Sequence, residues 1–203
     1  MSSAAHKPRV AIQGERGAFS EQAALELFIE EKIELVLQKT FTALYDSVAK
    51  GEAEYVLAPT WNTILGPVPG SVELLRQTPL LPVSQVRLRI NQHLIGCPGA
   101  TLNDIAVVMS HPAALAQCSR FFKEHPQLKP LEAEDTGGSV AEIMRRGDKT
   151  FAAIASQCAA QIYGASVIRS SIQDEEENFT YFTLLALPGT HFNLRQVLKG
   201  NKS

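Results

Sequence analysis

The chain has 203 residues, 45% of them hydrophobic and 20% charged, with a formal net charge of −2 at pH 7. That composition describes a folded globular protein able to bury one large core or two modest ones. It leaves no basic face for nucleic acid and no polybasic anchor for a membrane surface. No stretch approaches the roughly 18 uninterrupted apolar residues of a membrane helix, and Met1–Pro8 lacks the apolar run of a signal peptide. Cys97, Cys118 and Cys158 are odd in number and far apart, with no CxxC spacing. They read as reduced, largely buried thiols of a cytoplasmic protein. The Asn178-Phe179-Thr180 sequon is then accidental.

Apolar runs alternate with helical patterns along the chain. Val10-Ala11-Ile12 reads as a first strand ending at Gly14, followed by a helix over residues 20–30 with Ala23, Ala24, Leu27 and Phe28 on one face. Glu34–Gln38 reads as a short strand and Thr42–Lys50 as a helix closed by Gly51. Tyr55–Ala58 is a continuous apolar run, as in a parallel strand covered on both faces, stopping at Pro59. A long extended stretch, Leu81–Ile95, comes next. Ala106–Met109 reads as a strand, with Pro112 opening a helix over residues 113–124. Leu131–Glu134 reads as a strand, Ser139–Arg146 as a helix, and Phe151–Ala155 as another buried strand. Gln157–Tyr163 reads as a helix ended by Gly164, and Phe179–Leu187 as a second extended segment. Two sets of strand–helix units joined by two extended segments predict an α/β protein of two lobes. Lobe 1 covers residues 8–82 with a return segment near 180–198, and lobe 2 covers 83–179. The ligand is expected between them at the strand ends.

The most informative stretches are those just after the strands. Gly14 to Ser20 comes after the first; Ser110-His111-Pro112, Asp135 to Ser139, and Ser156 come after later ones. Each puts a hydroxyl near a helix start, where free N–H groups and the positive dipole end favour an anion. Taken singly, each is explained by ordinary capping; recurrence raises the anion-binding reading. The glycine loop is neither a P-loop nor a GxGxxG fingerprint, which excludes nucleotide binding. His6, His93, His111, His125 and His191 have no ligand spacing, so no metal is expected. Cys118, on an apolar helical face without a base, reads as core.

In order and spacing, several stretches together resemble the prephenate dehydratase family over about residues 9–187. They are Gly14–Ala24, Ala58–Val68, Ser110–Cys118, Asp135–Ser139, Ala152–Ser156, Tyr163-Gly164, and Ile172 to Asp174 running on to Asn178–Phe182. The resemblance implies a two-lobed fold like that of type 2 periplasmic binding proteins, with the site in the interlobe cleft. It implies a lyase reaction in phenylalanine biosynthesis: prephenate loses its ring carboxylate as carbon dioxide and its hydroxyl as water, giving phenylpyruvate, with no cofactor. Thr180 is then the catalytic hydroxyl, with Asn62 and Thr63 beside it in the catalytic set. The small dicarboxylate would be bound by Gly17, Ala18, Phe19, Ser20, Ser110, His111, Thr136, Ser139, Tyr181 and Phe182. A homodimer is expected from the family's habit of self-association. Residues 188–203 are too few for the family's regulatory ACT domain.

Three departures stand out. The family's Thr-Arg-Phe motif reads Thr180-Tyr181-Phe182 here, exchanging a bidentate guanidinium for a phenol that donates one hydrogen bond. The family's glutamate before Asn62 is Trp61, and Ala18 stands where threonine is common. Arg16, Arg87 or Arg89 is the candidate to replace the missing charge. Two rival readings stand beside the dehydratase: a non-aromatising prephenate decarboxylase of specialised metabolism, and a non-catalytic small-anion binding protein.

Overall fold

The computed structural model describes residues 7–28 and 33–190. By contact clustering the chain forms two units: residues 1–13, 20–88 and 180–203, and residues 14–19 and 89–179. The parts of the predicted first helix and of the return segment that fall at residues 29–30 and beyond 190 lie outside the described residues.

The first unit is built on a sheet of order β2-β1-β3-β11-β5, with β4 paired to β3. Its strands are β1 (Arg9–Gln13), β2 (Glu34–Gln38), β3 (Tyr55–Asn62), β4 (Gly66–Pro67), β5 (Leu81–Arg89) and β11 (Phe179–Ala186). Helices α1 (Phe19–Leu27), α2 (Phe41–Asp46) and α3 (Ser71–Gln77) accompany it. β1 lies parallel to both β2 and β3, and β11 is antiparallel to β3. One core cluster joins Ala11, Val56, Ala58 and Leu185 of the sheet to Leu44, Tyr45 and Val48 of the α2 region. Thr40 caps α2 by accepting from the Ala43 N–H at 3.1 Å. That helix ends at Asp46, short of the expected Lys50, where the Ser47 hydroxyl donates to the Leu44 carbonyl at 2.7 Å.

β3 does not stop at Pro59; it continues to Asn62. Pro59 is tolerated because the parallel pairing with β1 ends at Leu57, and the ladder with β11 slips there. Phe182 faces Pro59 while Tyr181 faces Trp61, so Thr60 is the extra residue of a β-bulge. A bulge is where a strand accepts a residue that cannot donate. The Thr60 hydroxyl fastens it, donating to the Tyr181 carbonyl at 3.2 Å and meeting the Thr183 hydroxyl at 2.9 Å.

The second unit has a sheet of order β10-β6-β9-β7-β8. Its strands are β6 (His93–Gly96), β7 (Val107–Ser110), β8 (Lys129–Glu132), β9 (Phe151–Ala155) and β10 (Ser166–Arg169). Its helices are α4 (Pro112–Ala116), α5 (Ser119–Glu124), α6 (Thr136–Arg146) and α7 (Gln157–Tyr163). β9 shows why a central strand reads as an unbroken apolar run. Ala152 and Ile154 pack with Ala114, Leu115, Cys118 and Phe121 on one face, while Ala153 and Ala155 pack with Val140, Ile143, Ala159 and Ala160 on the other. β8 lies two residues earlier than expected, as an edge strand whose Pro130 need not donate. Four elements lie beyond what the sequence pattern predicts: β4, α3, β10 and a 3₁₀ turn at Leu102–Asp104.

The single helix expected over residues 113–124 is two helices. The break is made by a residue far along the chain. The Asp174 carboxylate accepts from the Ser119 N–H (3.0 Å), the Ser119 hydroxyl (2.7 Å) and the Arg120 N–H (2.9 Å), so it caps α5 from outside. The Asp174 N–H donates to the Gln117 carbonyl at 2.6 Å. α6 likewise starts at Thr136 rather than Ser139, because Asp135 caps it, accepting from the Gly138 N–H at 2.6 Å.

The loop 14–19 clusters with the second unit and rests on two helix starts there. Ser156 caps α7 and donates its hydroxyl to the Gly17 carbonyl at 2.8 Å; the Tyr163 phenol donates to the Arg16 carbonyl at 3.0 Å. The approach is close enough to demand glycine twice. A Cβ on Gly137 would lie 2.5 Å from the Arg16 carbonyl oxygen, and one on Gly17, whose φ is +82°, 2.7 Å from Ala159 Cα.

Gly137→Ala should therefore lower Tm by several degrees, since backbone must shift; thermal denaturation with an unchanged Tm would show that the loop yields freely. A second expectation concerns pH. Burial pulls the Asp174 carboxyl upward, but the bonds from Ser119 and Arg120 and the Arg120 charge outweigh it and hold it below the ordinary value. A carboxyl depressed in the folded state stabilises above its unfolded pKa of about 3.9 and loses that contribution as pH falls through the folded value. The stability gap between wild type and Asp174→Asn should thus be present at neutral pH and close in acid below about pH 4. Denaturant titrations at pH 7 and pH 3 giving equal gaps would contradict it.

Candidate functional site

Thr180 and Asn62 face each other as the first rung between β11 and β3, and both are buried. The Asn62 carbonyl oxygen accepts from the Ile64 and Leu65 N–H groups at 2.9 and 3.0 Å, closing the turn that carries the exposed Thr63. That fixes which end of the amide is which: the NH₂ end points at Thr180 and donates to its hydroxyl oxygen at 3.0 Å. A hydroxyl that already accepts keeps its own proton to give away. The local geometry therefore makes Thr180 a directed O–H donor.

The remaining hydroxyls divide by whether their proton is committed. Ser110 is fully buried and donates to the Ile154 carbonyl at 2.6 Å. Ser139 donates to the Asp135 carbonyl at 2.7 Å, and Ser156 to the Gly17 carbonyl. None of the three has a proton left for a ligand carboxylate. Ser20, Thr136 and the Tyr181 phenol donate no hydrogen bond among the described residues. Thr136 and Ser20 lie in the first turns of α6 and α1, and Tyr181 is half-buried opposite Trp61.

The expected free helix starts are mostly filled. His111 is the N-cap of α4, its Nδ1 accepting from the Ala113 N–H at 3.2 Å, which leaves it an exposed capping residue. Asp174, Asp135 and Ser156 cap α5, α6 and α7. α1 differs: the residue before it is Ala18, whose methyl cannot cap, so the amides of Phe19 and Ser20 begin a helix without help from that side chain. Phe182 is 3% exposed and is a core side chain.

The second unit also holds a cavity of about 510 Å³ lined by Glu15, Glu134, Asp135, Ser139 and Glu142 among others. Four carboxylates repel a dicarboxylate, so this cavity does not fit one. Arg89 is engaged too: it donates through Nε and Nη2 to the Glu176 carbonyl (3.2 and 2.9 Å) and lies 3.8 Å from the Glu177 carboxylate. Burial, and then the Asp174 charge, push the Cys118 thiol up to about 12, which makes it inert at neutral pH. No group of His, Cys, Asp and Glu among the described residues is arranged to hold a metal ion.

Two residues that sequence reasoning misses enter here. The Gln117 carboxamide oxygen accepts from Gln92 Nε2 and Asn178 Nδ2, both at 3.2 Å, gathering three segments at one point. Gln92 is 2% exposed, and its own carboxamide oxygen is the one buried side-chain acceptor left without a partner among the described residues. A polar residue closing an apolar helix just before a break is the only local signal for Gln117, and Gln92 has none.

Comparison with known proteins agrees with this framework. A family model described as prephenate dehydratase matches residues 10–189. The arogenate dehydratase/prephenate dehydratase 2, chloroplastic, of Arabidopsis thaliana is 33% identical over 187 residues, covering 90% of this chain and 48% of that protein. The chain spans about half the length of the curated relatives it matches. A solved structure described as GqqA, a novel type of quorum quenching acylase, superposes with a TM-score of 0.79 at 29% identity, covering 91% of this chain and 66% of that one. The prephenate dehydratase of Arthrobacter aurescens in complex with L-Phe superposes with a TM-score of 0.82 at 23% identity, covering 91% and 62%, a likeness of fold. A periplasmic substrate-binding protein from Coxiella burnetii does so at 0.51 with 12% identity, covering 97% and 92%. The fold is thus the mixed α/β, type 2 periplasmic-binding-protein class expected from the sequence. The chain belongs to the prephenate dehydratase family.

Proposed function

We propose that the chain catalyses the dehydratase reaction of its family, converting prephenate or its transaminated analogue arogenate to the aromatic product in phenylalanine biosynthesis. One observation carries the reading: the Asn62 amide donates to the Thr180 hydroxyl and so aims the threonine proton outward. In this reaction the bond to the ring carboxylate breaks and its electron pair enters the ring. The carbon–oxygen bond opposite breaks, and the departing oxygen takes a proton from Thr180 and leaves as water. Thr180 then recovers a proton from solvent. Aromatisation supplies the driving force, so the protein's contribution is orientation and one well-placed donor. Thr63, Ser20, Thr136, Tyr181 and the main chain from Gly17 to Phe19 are proposed to hold substrate carboxylates. The three cysteines, free in this structure, suit a reducing compartment such as the cytoplasm. Self-association as a homodimer goes with the proposal and is read by sedimentation.

Incubation with prephenate should yield phenylpyruvate, and with arogenate phenylalanine. A product whose ring stays unsaturated would instead establish the decarboxylase, the reading that Tyr181 in place of arginine favours. Binding without turnover of either compound would leave a small-anion binding protein. Acyl-amide substrates belong in the same assay because of the acylase likeness. Thr180→Ala should lower kcat about 10²–10⁴-fold, the usual worth of a general acid; an intact rate rejects the mechanism. Tyr181→Arg should lower KM with kcat unchanged, since a side chain alternating away from Thr180 anchors rather than reacts. An unchanged KM removes that anchoring role.

A further inference from the structure

Thr180 is the first rung of its ladder; on its N-terminal side no strand pairing within the first unit holds it. The chain reaches it through residues 170–178, a strap with no regular secondary structure that belongs to the second unit. The strap is stitched down at intervals. The Ile172 N–H donates to the Gln92 carbonyl (2.8 Å), the Gln92 N–H to the Gln173 side chain (3.0 Å), and the Ile90 N–H to the Asn178 carbonyl (2.8 Å). The densest stitch is Asp174, with three bonds onto its carboxylate from Ser119 and Arg120 and one from its own N–H to Gln117.

Asp174 opens an acidic run, Asp174-Glu175-Glu176-Glu177, and such a run is ordinarily a solvated, self-repelling segment. Here Glu175, Glu176 and Glu177 are exposed as that rule predicts, whereas the Asp174 side chain is turned inward and only 20% exposed. One acid of four is thus diverted from solvent to fasten a segment that would otherwise drift. Asn178, four residues on, is fastened to Gln117 as well, so residues 117–120 grip the strap at both 174 and 178.

We propose that Asp174 is a positioning residue for Thr180: by clamping the strap to the start of α5 it sets the path along which the chain enters β11, and so the aim of the Thr180 hydroxyl. The proposal rests on the reading of Thr180 as the proton donor. Asp174 touches no reacting atom; it acts through six residues of chain.

The test is a double-mutant cycle on the full chain with prephenate. Asp174→Ala should lower kcat about 10- to 100-fold with KM within about threefold, because a one-ångström misplacement costs on the order of 10²-fold without loosening binding. Asp174→Asn, which keeps one oxygen acceptor, should recover part of the rate, and it carries the comparison if Asp174→Ala fails to fold. Thr40→Ala removes a helix cap of the same kind from α2 and should leave kcat unchanged, separating positioning from general loss of stability. In a Thr180→Ala background, Asp174→Ala should have no further effect. An unaffected kcat in both Asp174 variants, or an equal drop on top of Thr180→Ala, overturns the positioning role alone. A wild-type rate in Thr180→Ala itself overturns the role of Thr180 and this proposal with it.

Discussion

The hydrogen bond from the Asn62 amide to the Thr180 hydroxyl is the constraint on which the chemistry depends. It works only because Asn62 is fully engaged elsewhere: two backbone N–H groups claim its oxygen, so the amide cannot flip. It also requires β3 to reach residue 62, well past Leu57, where its pairing with β1 ends. That extension runs over Pro59, which a regular ladder would reject, and the bulge at Thr60 absorbs the misfit. The Thr60 hydroxyl ties the bulge back to β11 at Tyr181 and Thr183. Proline, bulge, threonine clip and asparagine turn are therefore one device, and its product is a threonine proton with nowhere inside the first unit to go.

How much of this is legible in the sequence depends on how local the cause is. β9 and α7 match the sequence expectation to the residue, because an unbroken apolar run, a serine cap and a closing glycine all act within a few positions. The helix over 113–124 is not legible, because the residue that breaks it, Asp174, lies some fifty positions away in the chain. No periodicity carries that information. At α6 the hydroxyls draw attention away from Asp135, although an acid at that place is as good a cap as serine. Gly137 and Gly138 look like loop residues; they are helical, and Gly137 is there because the Arg16 carbonyl needs the space.

The same distinction explains why the anion-binding pattern is partly right. Hydroxyls at helix starts are visible in sequence, but whether each proton is free depends on the carbonyl nearest in space. Ser110 and Ser139 lose theirs to Ile154 and Asp135, while Ser20 and Thr136 keep theirs. A pattern that looks like a row of equivalent donors resolves into two kinds, and only the tertiary structure sorts them. What the pattern does not show at all is Ala18: its importance lies in failing to cap α1, which leaves the first amides of that helix unclaimed by the preceding side chain.

The two substitutions that set this chain apart from its family's motifs, Trp61 and Tyr181, are direct cross-strand partners on β3 and β11. Facing residues on antiparallel strands interact as a pair, so the exchange of an acid for an indole and of a guanidinium for a phenol is one local change. Had only the arginine been lost, a carboxylate would face a phenol with its counter-charge gone; replacing both leaves two amphipathic aromatics, neither of which needs an ionic partner. Strand alternation directs these two side chains to the face opposite Asn62 and Thr180. The amide–hydroxyl pair therefore keeps its geometry through the exchange, and the altered charge bears on what is held near the site rather than on the group that gives up its proton.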